Sequence, residues 1–315
     1  MYKLIRFYNQ NRNQIIKIIL IIVFILGIIQ LLNYLVSRNG SNNNIQANMI
    51  NNNNMRQEIA SNKSLVTGQT LPTTSLKSDN EVIKNFVEAC NKGDIDTAYN
   101  FLTEECKENM FPTIDDFERI YYSYIFNSYQ TYTLENWSGD IYQIKYTEDI
   151  LNTGNLNSTT KQDYITIINK NGEKKLNINN YIGRENLNKT TEQANIKITI
   201  TSIDTFMDYE IYNLSIENNS KNDILLDTSD DVKSIYLLDN KEMKYYFFSN
   251  EIVDNKLLIK SNFVNSLQIK FASSYSSSKK INNVVFSKMV LNYDEYKNFS
   301  NKKEYSFYKF RVNVY

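Results

Sequence analysis

Cys90 and Cys106 are the residues of this chain best suited by type to covalent or redox chemistry, and they are its only cysteines. A reactive cysteine works through its thiolate, which a neighbouring base or cation must stabilise. The chain holds no histidine. The usual activating partner is therefore missing, and so are Ser-His-Asp triads, histidine metal ligands and the common pH switch near neutrality. The two thiols read either as small buried apolar groups or as one disulfide pinning a helical hairpin. Phosphate chemistry is equally short of parts: there are 8 glycines, and neither GxGxxG nor a GxxxxGK loop occurs. In "DTSDD", Asp227, Asp230 and Asp231 lack the spacing and glycine of a calcium loop, so they read as a solvated turn. No catalytic residue, metal or cofactor is assigned. Lys+Arg and Asp+Glu balance at 35 each, so no global field marks a nucleic-acid partner.

The elements that would carry such residues differ along the chain. Residues 18–29, "IILIIVFILGII", are uninterrupted apolar sequence, continued to Val36 and bracketed by Lys17 and Arg38. At helical rise this stretch reaches ~28 Å, close to a bilayer's hydrocarbon thickness. It reads as a single transmembrane helix over 15–36. Lys3, Arg6, Arg12 and Lys17 precede it, so the positive-inside rule puts residues 1–14 in the cytoplasm and the domains beyond outside the cell. Heavy use of Asn, Ile, Lys and Tyr reads as the coding bias of a low-GC Gram-positive bacterium. Residues 37–78, which include "NGSNNNIQANMINNNNM" from Asn39, lack periodic apolar positions and read as a disordered linker.

From Asp79 the period becomes helical. Val82, Ile83, Phe86, Val87 and Cys90 share one face, and Gly93 is placed to end the helix. Asp94 is the N-cap for a second helix with Ile95, Ala98, Tyr99 and Leu102 on one side. Beyond Pro112, Thr113 opens a third whose apolar face is Ile114, Phe117, Tyr121 and Tyr124. Period-two alternation follows, and Asn171-Gly172 predicts a tight hairpin turn. Residues 79–185 thus read as an α+β domain. "RENLNKTTEQ" reads as a connector, and residues 192–315 as seven or eight strands of a β-sandwich. Within that half, "SSYSSSKK", residues 273–280, reads as an exposed polar loop.

The phrase "VIKNFVEACNKGDIDTAYNFLTEECKENMFPTIDDFERIY", with "YTLENWSGDIYQIKYTED" and "DYITIINKNGEKKLNI" after it, resembles the nuclear-transport-factor-two-like superfamily. The shared pattern is aliphatic-x-x-Phe-x-x-Ala, a Gly-Asp turn, then Ala-Tyr-x-x-Leu. The resemblance implies a cone in which a curved sheet wraps a long helix, and it specifies fold better than function. Tyr121, Tyr124, Trp137, Tyr146 and Tyr164 would then line the cone, with Asp149 or Asp163 as a general base, unless these aromatics are simply core. Relatives outside the membrane include assembly components of conjugative secretion systems and non-catalytic domains of penicillin-binding proteins. The transpeptidase set of the latter, Ser-x-x-Lys together with Lys-Thr-Gly, is missing from this sequence. "IYNLSIENNSKNDILL" resembles the early strand–loop–strand of immunoglobulin-like domains. The whole is expected to be an α+β cone-fold domain plus an all-β sandwich behind one N-terminal transmembrane helix. Its expected role is a non-enzymatic, membrane-anchored interaction or scaffold protein whose partners are other envelope proteins or itself. The alternative is a binding protein for a small molecule or envelope polymer, held in the cone.

Overall fold

The computed structural model describes residues 58–59, 63–149, 160–228, 231, 233–248 and 257–315. Within them the chain turns helical at Pro72, whose extended backbone precedes helix α1, Thr73–Asn91. The stretch expected as a disordered linker to residue 78 is therefore partly ordered: Glu58 and Ile59 pair with Thr133 and Leu134, Leu65 and Val66 donate to the Asn136 and Trp137 carbonyls, and the helix starts at 73. The apolar spacing runs back through Leu76 and Asp79, both buried on the same face as Ile83, Phe86 and Val87. Gly93, at φ +73°, ends this segment in a conformation that a side chain would strain.

Asp94 caps α2, Ile95–Asn100, by accepting from the Thr97 N–H at 3.2 Å. The second arm is not one helix. It breaks at Phe101–Thr103, where the chain pairs with Leu176, and restarts as α3, Glu104–Met110, capped by Thr103. Thr113 then caps α4, Ile114–Phe117, which passes through a π-helical turn, Glu118–Tyr122, into α5, Ser123–Ile125.

These helices pack on a five-stranded sheet in the order β1-β2-β3-β4-β5. Its strands are Glu58–Ile59, Gln130–Ser138, Ile141–Glu148, Thr160–Lys170 and Glu173–Asn177. All neighbours are antiparallel except β1, which runs parallel to β2. Asn171 and Gly172 both take positive φ in the β4–β5 turn, as a type I′ hairpin requires. Phe86, Phe111, Phe117, Tyr121 and Phe126 fill the space between helices and sheet, with ring centroids 5.5–6.5 Å apart.

Two further four-stranded antiparallel sheets share a second core. One has the order β13-β8-β7-β6 and the other β11-β10-β14-β15. Their strands are β6 Tyr181–Gln193, β7 Ile196–Phe206, β8 Glu210–Asn218, β10 Ile235–Asp239, β11 Lys244–Tyr246, β13 Phe263–Phe271, β14 Ile281–Met289 and β15 Tyr308–Asn313. A two-stranded sheet joins β9, Ile224–Leu225, to β12, Leu258–Ile259. Alternating Ile196, Ile198, Ile200 and Tyr212, Leu214, Ile216 point into this core.

The segment read as a connector, "RENLNKTTEQ", is the body of β6, hydrogen-bonded along β7. It looked like a linker because most of its side chains are exposed, whereas its backbone pairs with β7 on one side, with an irregularity between Asn186 and Lys189. The two cores are therefore joined by a continuous strand.

The expected fold class needs correction. Strand outweighs helix among the described residues, which form four sheets, and none of their helices is long and apolar enough to cross a membrane. α1, the longest, carries Lys77, Glu81, Lys84 and Glu88 on its outer side and buries one face only. No described helix supports the single-pass anchor, and the cell-membrane placement with a cytoplasmic N-terminus and extracellular domains goes with it. The expected segments 1–14 and 15–36 lie outside the described residues.

Candidate functional site

Asp163 lies on β4 directly opposite buried Ile144 of β3, and Tyr146 points to the same side two residues on. The pleat thus aims all three at the helices. There the Tyr121 hydroxyl donates to Asp163 Oδ2 at 2.8 Å and lies 3.1 Å from the Tyr146 hydroxyl. Asp163 also accepts the backbone N–H groups of Asn179 on Oδ2 and Asn180 on Oδ1, both at 2.9 Å, and that of Tyr164 on Oδ1 at 2.7 Å. Asn179 and Asn180, at φ +58° and +63°, form a tight left-handed turn that aims both N–H groups at one carboxyl.

Burial raises the Asp163 carboxyl above its ordinary value, while the four donors oppose the rise. Burial also pushes the Tyr121 and Tyr146 hydroxyls well above theirs. A carboxyl raised in the folded state binds its proton more tightly there than in the unfolded chain. Its contribution to stability is greatest below the unfolded value of about 3.9 and is lost as pH rises through the folded value. The stability advantage of the wild type over Asp163→Ala is expected to shrink between pH 3 and neutrality. Urea titrations of both proteins across that range check this, and a constant difference would contradict it.

The other residues read as cone lining separate. Tyr124 is 65% exposed. The extra residue of the π turn rotates the helix so that Ile125 faces inward instead. Trp137 and Tyr164 face the opposite side of the sheet, edge to face at 5.2 Å, in a cluster with Ile141, Ile182, Met207 and Tyr275. Asp149 follows the end of β3, away from the Asp163 network. Of the five aromatics, Tyr121 and Tyr146 meet on the helix side of the sheet, where Asp163 joins them, and Trp137 and Tyr164 meet on the other.

Cys90 and Cys106 are free thiols, both buried, so the disulfide reading is corrected. They come from different helices, α1 and α3, because the second arm breaks before Cys106. Burial raises both thiols, that of Cys106 to about 12. Ellman's reagent is therefore expected to find no fast-reacting thiol in the native protein and both after denaturation; labelling within seconds under native conditions would contradict this.

Among the described residues no group of three acidic or cysteine side chains is placed to hold a metal.

No family model, curated protein or solved structure matches the chain. The cone-fold and immunoglobulin-like resemblances therefore rest on the quoted residues alone.

The strongest polar convergence in the second core lies where "SSYSSSKK" folds back. That segment is not simply an exposed loop. Ser273 is buried, Tyr275 packs in the Trp137 cluster, and the Lys279 and Glu210 side chains, 8% and 9% exposed, pair at 2.9 Å. Around this pair a cleft of about 300 Å³ opens, bordered by Glu185, Tyr212, Tyr275 and Tyr315. In the sequence, the one hint was a tyrosine and two lysines among serines, a pattern that polar loops share.

A second ionic cluster joins the two cores. Asp204, 1% exposed, accepts Arg184 Nε at 2.8 Å and Nη2 at 3.2 Å, the Tyr181 hydroxyl at 2.9 Å, and the amides of Asn109 and Asn213 at 3.1 and 2.9 Å. Arg184 Nη1 also reaches Glu108 on α3 at 2.7 Å. A register shift after Ile200 turns Asp204 out of the second core and toward α3.

Proposed function

We propose that this chain is a non-enzymatic interaction or scaffold protein that works by binding other proteins or itself. The observation that carries the reading is the packed interior of the helical half. Asp163, the best-placed acid, accepts four hydrogen bonds in a fully buried site, and Tyr121 and Tyr146 are walls of core rather than of a vestibule. A general base must meet the proton it abstracts, and this one meets only its own scaffold. The same packing weighs against a ligand held in the cone.

Crosslinking of the tagged full-length protein in its host cell, with sedimentation of the purified protein, tests the proposal. Recovery of a protein partner at fixed stoichiometry, or self-association to a fixed subunit number, is expected. A monomer that captures nothing would overturn it.

A further inference from the structure

We infer that the cleft beside the Lys279–Glu210 pair is a binding site for an alkylammonium group. The register of β6, β7 and β8 sets Glu185 opposite Ile203 and Ile203 opposite Tyr212, so these three side chains form one row across the sheet. Glu210 stands next to that row, paired across from Thr205. The returning loop closes the other side with Tyr275, Ser276 and Lys279, and Tyr315 covers the end.

Three charged side chains border the cleft: Glu185, Glu210 and Lys279. The Lys279 ammonium has three donors, and they go to Glu210 Oε1, the Ser273 hydroxyl and the Ser274 carbonyl. It has none left for a ligand, and Glu210 offsets its charge at 2.9 Å. What remains is the carboxylate of Glu185, exposed to solvent and touched by the Tyr315 hydroxyl at 3.0 Å. An anion would meet this carboxylate with no free donor cation to hold it. A cation would meet a carboxylate bordered by Tyr212, Tyr275 and Tyr315, and that charge would hold an ammonium group by charge-assisted hydrogen bonding. Burial raises the Tyr275 and Tyr315 hydroxyls, so both rings stay neutral at physiological pH. The cleft's volume suits a short alkyl chain ending in one ammonium. Such a group occurs on a free amine or on a lysine side chain of another protein. The assignment does not depend on the scaffold reading.

Ligand-observed NMR with the full-length protein at fixed ionic strength tests the site using n-butylammonium, neutral n-butanol and Nα-acetyl-lysine methylamide. n-Butylammonium is expected to bind at least tenfold more tightly than n-butanol. Glu185→Gln, at an exposed position that leaves the fold intact, is expected to weaken n-butylammonium about tenfold while n-butanol stays unchanged. Tighter binding of the lysine derivative would assign the site to a protein-borne side chain, and tighter binding of n-butylammonium to a free amine. Both support an ammonium site. Equal binding of n-butylammonium and n-butanol, or a Glu185→Gln protein that binds n-butylammonium as the wild type does, would overturn it.

Discussion

Replacing Asp204 with alanine is expected to lower the unfolding free energy by about 3–5 kcal/mol, because it strands a partly buried guanidinium and three neutral donors together. Arg184 would lose both its bonds to Asp204 and keep those to Glu108 and the Asn109 amide oxygen, while Tyr181, Asn109 and Asn213 would lose their shared acceptor. Of Arg184's partners in this cluster, Glu108 is mostly exposed and cannot replace a buried carboxylate. The companion variant Arg184→Met with Asp204→Leu removes charge from both sides. It should recover part of the loss, since an apolar pair leaves no stranded ion. Urea unfolding followed by tryptophan fluorescence and by far-ultraviolet circular dichroism measures both variants. The single tryptophan, Trp137, reports its own apolar cluster with Ile182, Met207 and Tyr275, and circular dichroism reports both halves. A loss under 1 kcal/mol for Asp204→Ala would refute the claim that this cluster holds the junction.

The second large effect is at Asp163. Asn179 and Asn180 each aim a backbone N–H at a different carboxyl oxygen. Asparagine offers only one oxygen, so its amide N–H₂ must face one of those N–H groups. The result is two buried donors pointed at each other, for an expected loss of about 3 kcal/mol. Tyr121→Phe removes one donor from the same carboxylate and leaves the others in place, for an expected loss near 1 kcal/mol. The order of the two losses is the test, read by chemical denaturation at neutral pH. An Asp163→Asn protein as stable as the wild type would show that the carboxyl is not a structural acceptor, and would reopen the question of chemistry there.

How much of this was legible in the sequence depends on the range of the signal. Local backbone chemistry was readable: the Asp94 and Thr113 caps, the Gly93 stop and the Asn171-Gly172 turn all act where they stand. Strand faces were readable where one side is wet, as in Ile196, Ile198 and Ile200. The start of α3 was also present, in Thr103 followed by Glu104 and Glu105, although a continuous hairpin arm was the simpler pattern.

Other features depended on distant partners. The π turn that turns Tyr124 outward leaves no mark in a three- and four-residue spacing count. β6 is polar because its exposed side faces water, and its pairing depends on β7. Lys279 is charged, and by composition belongs outside, until Glu210 supplies the counter-ion. The candidate residues divided accordingly: Tyr121, Tyr146 and Asp163 were brought together by sheet register, whereas Trp137 and Tyr164 were carried to the other face by the same alternation.

The first core takes Phe206 from β7 and packs Tyr209 and Ile211 against its rim, with Phe206 stacked on Tyr209 at 4.2 Å and against Tyr181 at 5.0 Å. During synthesis this imposes an order. The helices and the five-stranded sheet leave the ribosome first, yet their interior stays unsealed until the β7–β8 turn follows. At about 5–20 residues per second that interval is roughly 1.5–6 s for about thirty residues. Throughout it Tyr181 lacks the ring that packs on it in the finished fold. The first core is thus finished by a strand that also builds the second, and the early half cannot complete its packing before β7 has been made.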